Sequence, residues 1–324
     1  MRISVVVATY NRRKIVTRTL GALFAQNVPA ADYEVIVVVD GSTDGTGDAL
    51  RPLQPACRFR VIEQENRGPS AARNTGYRSA AADLVLFLDD DMLSDPGLVA
   101  AHITAHREPG RRIAFGALYL SADSPPSLAA ECFNREIGAF YLERKQNPGI
   151  AWQITDCVFS NASLSRELLE AFGGFDETFR KREDLELGAR LLRSGVQPLY
   201  LGSAVAYQYF EKTSADLIHD AEAFAVGDVM LARKHPGTMI KGQLLWLAQQ
   251  PRWKRRMLRM AAASPALADL FLAPVCACGE VCFRAPVLRN LGVRALQMRR
   301  RIHWYRKALE LGWQSPEART EDAI

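Results

Sequence analysis

Short apolar runs at 3–8, 34–39, 58–64 and 84–88 punctuate the first part of the chain, and the stretches between them read as helices over 12–26, 45–53 and 69–81. Strands that are apolar at consecutive positions, rather than at alternate ones, are buried on both faces. This happens when helical crossovers cover a parallel sheet. The alternation therefore restricts the chain to the α/β class, with a mostly parallel, Rossmann-like sheet flanked by helices. Ligands on such sheets bind beyond the carboxyl ends of the strands. The residues there are Thr9-Tyr10-Asn11, Asp40-Gly41-Ser42, Asn66-Arg67-Gly68 and Asp89-Asp90-Asp91. Four polar strand ends on one rim describe a site.

Further along, a helix is expected from Pro96 to about His106, a strand over Ile113–Leu120 and a helix over 126–147. Trp152–Leu164 reads as strand and turn, and Arg166–Phe172 as a short helix stopped by Gly173-Gly174. A helix over Arg182–Ser194 ends at Gly195. A strand pair, Pro198–Leu201 and Ala204–Tyr209, then closes the sheet before a helix over about 213–234. His235-Pro236-Gly237 marks a boundary, dividing the chain into a domain over 1–235 and a basic, all-α C-terminal extension over 236–324.

With 324 residues, 48% of them hydrophobic, the chain can bury a large core. Its charge is uneven: residues 233–307 hold 16 Lys and Arg against 2 Asp and Glu. Met1-Arg2 runs directly into the first apolar segment, too short and too early for a signal peptide, so a cytoplasmic location is expected. Cys276, Cys278 and Cys282 have no fourth Cys or nearby His to complete a zinc site, and reduced thiols are expected for all six cysteines. The apolar stretch 264–287 is broken by Asp269, Pro274 and Glu280, which suits a packed or interfacial helix better than a membrane span.

Three adjacent carboxylates at 89–91 repel one another, and hard oxygen ligands of this type favour Mg2+ or Mn2+ carried by a phosphorylated ligand. The competing reading is an acidic turn that caps the next helix. Asp40 is free to accept hydrogen bonds from a base or ribose, because Ser42, Thr43 and Asp44 are better placed to cap the helix that follows it. Arg67 and Arg73 flank a Gly-Pro turn at a helix start, where the dipole and guanidinium forks favour a diphosphate. Glu183 and Asp184 open a helix behind the glycine-rich Phe172–Glu177 loop; they either serve the helix dipole or supply a base for a hydroxyl.

In order, the segments SVVVATYNR (4–12), VVVDGSTDGT (37–46), ENRGPSAARNTG (65–76), LFLDDDM (86–92), FSNASLSRELLEAFGGFDETF (159–179) and REDLELGARLLRSG (182–195) resemble the family-two inverting glycosyltransferases of GT-A fold. The resemblance covers about residues 3–235. It implies a nucleotide-sugar donor and a hydroxyl acceptor in glycan, polysaccharide or glycolipid synthesis, with a UDP-sugar favoured. It places Thr9, Asn11, Asp40, Arg67, Arg73, Asp89 and Asp90 on the donor. It makes Asp89 and Asp91 the Asp-x-Asp metal pair, and Asp184 the base with Glu183 beside it. One position departs from the pattern: Gln208 stands where many members carry a His.

Two other functions fit a similar sheet: a sugar-1-phosphate nucleotidyltransferase and a silent nucleotide-sugar-binding scaffold. The former is disfavoured because Ala8–Arg12 is not a glycine-rich triphosphate loop. The basic-aromatic stretches 252–259 and 299–307 suggest peripheral contact with an anionic membrane at its inner face or with a lipid-linked acceptor; a solvated helical surface or an oligomer contact is the competing reading, and no nucleic acid is expected.

Overall fold

The computed structural model describes residues 1–108, 110–147, 149–236 and 250–313. By internal contacts it divides into two compact units, one of residues 1–124 and 137–210, the other of residues 125–136 and 211–324. The helix after Thr213, which the sequence reading had grouped with the sheet, thus belongs to the second unit.

The first unit holds an eight-stranded sheet in the order β3-β2-β1-β4-β7-β6-β8-β5. Its strands are β1 (Ile3–Thr9), β2 (Tyr33–Asp40), β3 (Arg58–Gln64), β4 (Leu84–Leu88), β5 (Met92–Ser94), β6 (Arg112–Leu120), β7 (Asn161–Ser165) and β8 (Gln197–Gln208). The first four pair in parallel, as the apolar runs require, and β6 pairs in parallel with β8. β7 lies antiparallel between β4 and β6, and β5 antiparallel to β8. β2 is buried at every position, whereas β3 is half-exposed because it forms the edge.

Crossovers α1 (Arg13–Phe24), α2 (Thr46–Leu50) and α3 (Pro69–Arg78) join the parallel strands. α3 starts on Pro69, whose missing N–H is harmless in the first turn, after Gly68 at φ 91°. Close packing of this helix on the sheet needs Gly76, since a Cβ there would lie 2.3 Å from Val6 Cγ1. The remaining helices of the sheet unit are α4 (Leu98–Ala105), α6 (Arg166–Ala171) and α7 (Glu183–Arg193), while α5 (Leu128–Gln146) has its first half in the second unit and its second half in the first. Phe87, Phe159 and Phe175 meet edge to face or tilted in the core beneath the rim.

Two expectations are corrected. The closing strand pair is one continuous strand, β8, whose pairing with β6 shifts register between Gly116 and Ala117. A shift of this kind absorbs the polar Gly202-Ser203 step without breaking the ladder. The strand expected within 152–164 begins only at Asn161, after a 3-10 turn over Ile154–Asp156.

The second unit is helical. α8 (Ser214–Lys234) opens with a reciprocal capping box between Thr213 and Asp216, and among the described residues three further helices follow: Arg252–Ala263, Pro265–Val281 and Pro286–Glu310. Of the boundary His235-Pro236-Gly237, Gly237 lies outside the described residues, as does the stretch after it to 249. All six cysteines are free thiols.

The basic stretch 299–307 is largely interior to this unit. Ile302, Trp304 and Tyr305 are buried there, Arg299 pairs with Asp269, Arg300 with Glu136, and Arg306 with Glu222. It therefore lacks the free apolar face that contact with a membrane would need.

A carboxylate cluster on the sheet rim

The three aspartates that follow β4 point to different partners. Asp89 accepts from Arg73 Nη2 at 2.8 Å. Asp90 is turned inward, accepting from Thr9 Oγ1 at 2.7 Å and pairing with Arg12 Nη1 at 3.1 Å. Asp91 pairs with Arg12 at 3.2 Å through Oδ2, which also accepts from Gln208 Nε2 at 3.1 Å. The other oxygen of Asp91, Oδ1, is buried without a hydrogen-bond partner. The triplet does not cap a helix: it leads straight into β5, where Asp91 C=O accepts from Tyr209 N.

Burial pushes the Asp90 carboxyl up to about 7, against the pull of Arg12 and with Asp91 adding to the rise. Asp91 is raised as well, chiefly by burial. Burial also acts to raise Asp89, but Arg73 overrides it and holds that carboxyl below its ordinary value. One rim thus holds a committed anion beside two carboxyls that resist ionisation without an added cation.

Arg73 joins this cluster to the start of α7. Its second nitrogen donates to Glu183 Oε1 at 2.6 Å, and its guanidinium lies 5.5 Å from the Phe175 ring centre. Asp184, half-buried, accepts from Leu185 N, and burial reinforced by Glu183 pushes it up to about 7. Arg182 enters the helix in a left-handed conformation, φ 69°, which a non-glycine residue adopts only where the surroundings hold it.

The glycine loop before α7 is fixed from two sides. Asn74 of α3 donates to Phe175 O at 2.8 Å and accepts from Phe175 N at 2.9 Å. Arg190, paired with the buried Glu186, donates to Gly174 O at 2.7 Å. Gly174 is required here: its φ is 70°, and a Cβ would lie 2.5 Å from Asn74 Oδ1.

Asp40 and Asn11 act on the loops themselves. Asp40 accepts from the backbone N–H groups of Arg67 at 2.9 Å and Gly68 at 2.8 Å, and from Gln64 Nε2, so it fixes the entry to α3. Asn11, at φ 51°, accepts from Thr43 N while its own N–H donates to Ser42 Oγ. Asp44 accepts from Thr46 N in the turn before α2, whose N-cap position is Gly45 and carries no side-chain cap. Arg67 directs its guanidinium to Glu177, 2.6 Å away, so the two arginines flanking the Gly-Pro turn do not face one point.

Arg12 was not singled out in the sequence, although it stands one residue beyond the polar end of β1. With Arg12 and Gln208 added, the predicted residues fall into two sets of ion pairs and hydrogen bonds, one joining Thr9, Asp90 and Asp91 through Arg12 and Gln208, the other joining Asp89 and Glu183 through Arg73.

Such a strand-end cluster on a mostly parallel sheet can be matched against known proteins. The profile described as "Glycosyl transferase family 2" matches residues 4–173, more than half of the chain. The chain belongs to glycosyl transferase family 2. Within curated relatives, it is 33% identical over 229 residues to validoxylamine A glucosyltransferase of Streptomyces hygroscopicus subsp. jinggangensis, covering 60% of this chain and 52% of that protein. It is 30% identical over 238 residues to chondroitin synthase of Escherichia coli, covering 63% of this chain and 34% of that protein. The chain spans about half or less of the length of these relatives.

Among solved structures, the mannosyltransferase PcManGT from Pyrobaculum calidifontis, in complex with GDP-Man and Mn2+, superposes with a TM-score of 0.64 at 22% identity, covering 96% of this chain and 87% of that one. TarS 1–349 of S. aureus in complex with UDP-GlcNAc gives 0.51 at 18% identity, covering 96% and 92%. At these identities the likeness is one of fold, and the fold of this family-2 chain is GT-A.

Proposed function

We propose that the protein is a metal-dependent, inverting glycosyltransferase. It moves a sugar from a nucleoside-diphosphate donor, with a UDP-sugar favoured, to a hydroxyl of a glycan or lipid-linked acceptor. One observation carries this reading: Arg73 holds Asp89, at the end of β4, and Glu183, at the start of α7, in one bidentate arrangement. This ties the acidic rim to Glu183, the chain neighbour of the proposed base Asp184, and supports the reading that the two act together.

Among the described residues, no three His, Cys, Asp or Glu side chains converge as a ready metal cage. Mg2+ and Mn2+ at diphosphate sites need less, often one or two carboxylates completed by phosphate oxygens and water. The buried, unpartnered Oδ1 of Asp91 fits that demand. Asp91 and Asp89 would hold the ion, with Gln208 beside them in place of the expected His. Such an ion, when bound, supplies neutralisation of the charge that develops on the leaving diphosphate.

The chain's own groups account for the rest. Asp40 and Asn11 hold the loops after β2 and β1 in the shape that receives the nucleotide, and Thr9 fixes Asp90. Arg73 and Arg12 keep the carboxylates apart and oriented. Asp184, ionised, accepts the proton of the acceptor hydroxyl, and attack from that side of the sugar inverts the anomeric centre. A carboxyl poised near 7 suits a base working at neutral pH.

The test is product analysis with a panel of nucleotide sugars, with and without EDTA. Metal-dependent release of nucleoside diphosphate together with an inverted anomer supports the reading. Release of pyrophosphate would assign a nucleotidyltransferase, and undiminished turnover in EDTA would remove the metal.

A further inference from the structure

We propose that the helical unit carries a surface that docks on an anionic lipid bilayer, formed by the outward face of the helices Arg252–Ala263 and Pro265–Val281. On the first helix, Trp253, Met257 and Met260 recur at the spacing of one helical face, and all are exposed. On the second, Leu267, Leu270 and Phe271 share one helical face and are exposed, as is Val281 at its end. Met260 is 72%, Phe271 73% and Val281 86% exposed. Single exposed apolar residues are ordinary, but three large ones on one face of each of two consecutive helices mark a surface that meets something.

The charge beside these residues identifies the partner. Arg256 and Arg259 are exposed on the first helix, Lys254 and Arg255 are half-buried beside them, and the helix Arg252–Ala263 contains no acidic residue. In a symmetric pair of copies this basic rim would face itself, and like charges would oppose the contact. An anionic headgroup layer complements it, with apolar side chains entering below the headgroups and a tryptophan at one end.

The geometry suits lying on the bilayer rather than crossing it. No single helix among the described residues is long and apolar enough to span, and the two helices meet at a bend of 99°. At 12 and 17 residues, each is shorter than the ~30 Å apolar core of a bilayer. Of the two basic stretches seen in the sequence the surface keeps 252–259, while 299–307 is interior and the exposed apolar residues of Pro265–Val281 take its place.

The experiment is flotation of the full chain with phosphatidylglycerol–phosphatidylcholine vesicles, and with phosphatidylcholine alone, at low and high salt. Binding is expected to the anionic vesicles and to weaken with salt. Leu270→Glu/Phe271→Glu should lower it by about tenfold or more, and Arg256→Gln by about fivefold. Both variants change exposed side chains and should keep the circular dichroism spectrum and melting temperature of the parent. Absence of anionic-vesicle binding at low salt overturns the proposal, as does unchanged binding by the folded variants. So does a parent dimer that these variants dissociate without any vesicle binding, which would assign the surface to a second copy.

Discussion

Gln208 donates its amide to Asp91 across the antiparallel pair of β8 and β5, Nε2 to Oδ2 at 3.1 Å. The same aspartate keeps its other oxygen buried and unpartnered. The amide thus orients the carboxylate and leaves its Oδ1 without a partner, the oxygen that the proposed reading gives to a cation. Gln208→Ala is expected to weaken Mn2+ binding, measured by calorimetry in the presence of UDP, by about tenfold. Gln208→His should restore it. Equal Mn2+ affinity in Gln208→Ala would show that the amide plays no part at the metal.

Arg73 is the joint between the rim and α7. Its side chain is 12% exposed and that of Glu183 10%. Replacing it by Ala leaves the Glu183 carboxylate buried beside Asp184 with no counter-charge, and should destabilise the fold by about 3 kcal/mol in denaturant unfolding. Transfer should fall as well, since Asp89 and Glu183 lose their common tether. A variant with parental stability would mean that solvent replaces the guanidinium at no cost.

The pH dependences of activity and stability should run in opposite directions. Burial and Glu183 push Asp184 up to about 7. A base acts only when ionised, so metal-supported transfer should rise with pH through about 7 and level off above it. An acid whose folded value lies above its unfolded one stabilises the fold fully below the unfolded value, and that contribution is lost as pH rises through the folded one. Asp184 has an unfolded value of 3.8, and Asp90, also raised to about 7, behaves alike. The melting temperature in EDTA should therefore fall between about pH 6 and about pH 8 while transfer, measured with metal, rises. Melting that climbs over this interval would contradict the assignment.

The β1, β2 and β4 strands were legible because burial on both faces favours consecutive apolar residues, with buried polar ones such as Ser4 and Glu34 confined to the strand ends. β7 was obscured for the opposite reason. Its segment Asn161-Ala-Ser-Leu-Ser165 is polar yet central, and its Asn161 and Ser163 are satisfied by His102 and His106, partners about sixty residues away in sequence. β5 has only three residues, too few to show a period. At the site, the acids were legible as residues but their partners were not. Asp40 is spent on the turn into α3, Arg67 turns to Glu177, and Arg12 comes in from β1; all three follow from loop geometry that no local pattern encodes.

The central claim is that Asp184 takes the acceptor proton at a site where the rim carboxylates hold the donor. It is tested most directly by measuring UDP affinity with Mn2+ and sugar transfer on the same preparation of Asp184→Asn. UDP affinity is expected to match the parent while transfer falls by about 10²–10⁴-fold. Near-parental turnover in that variant would contradict the claim.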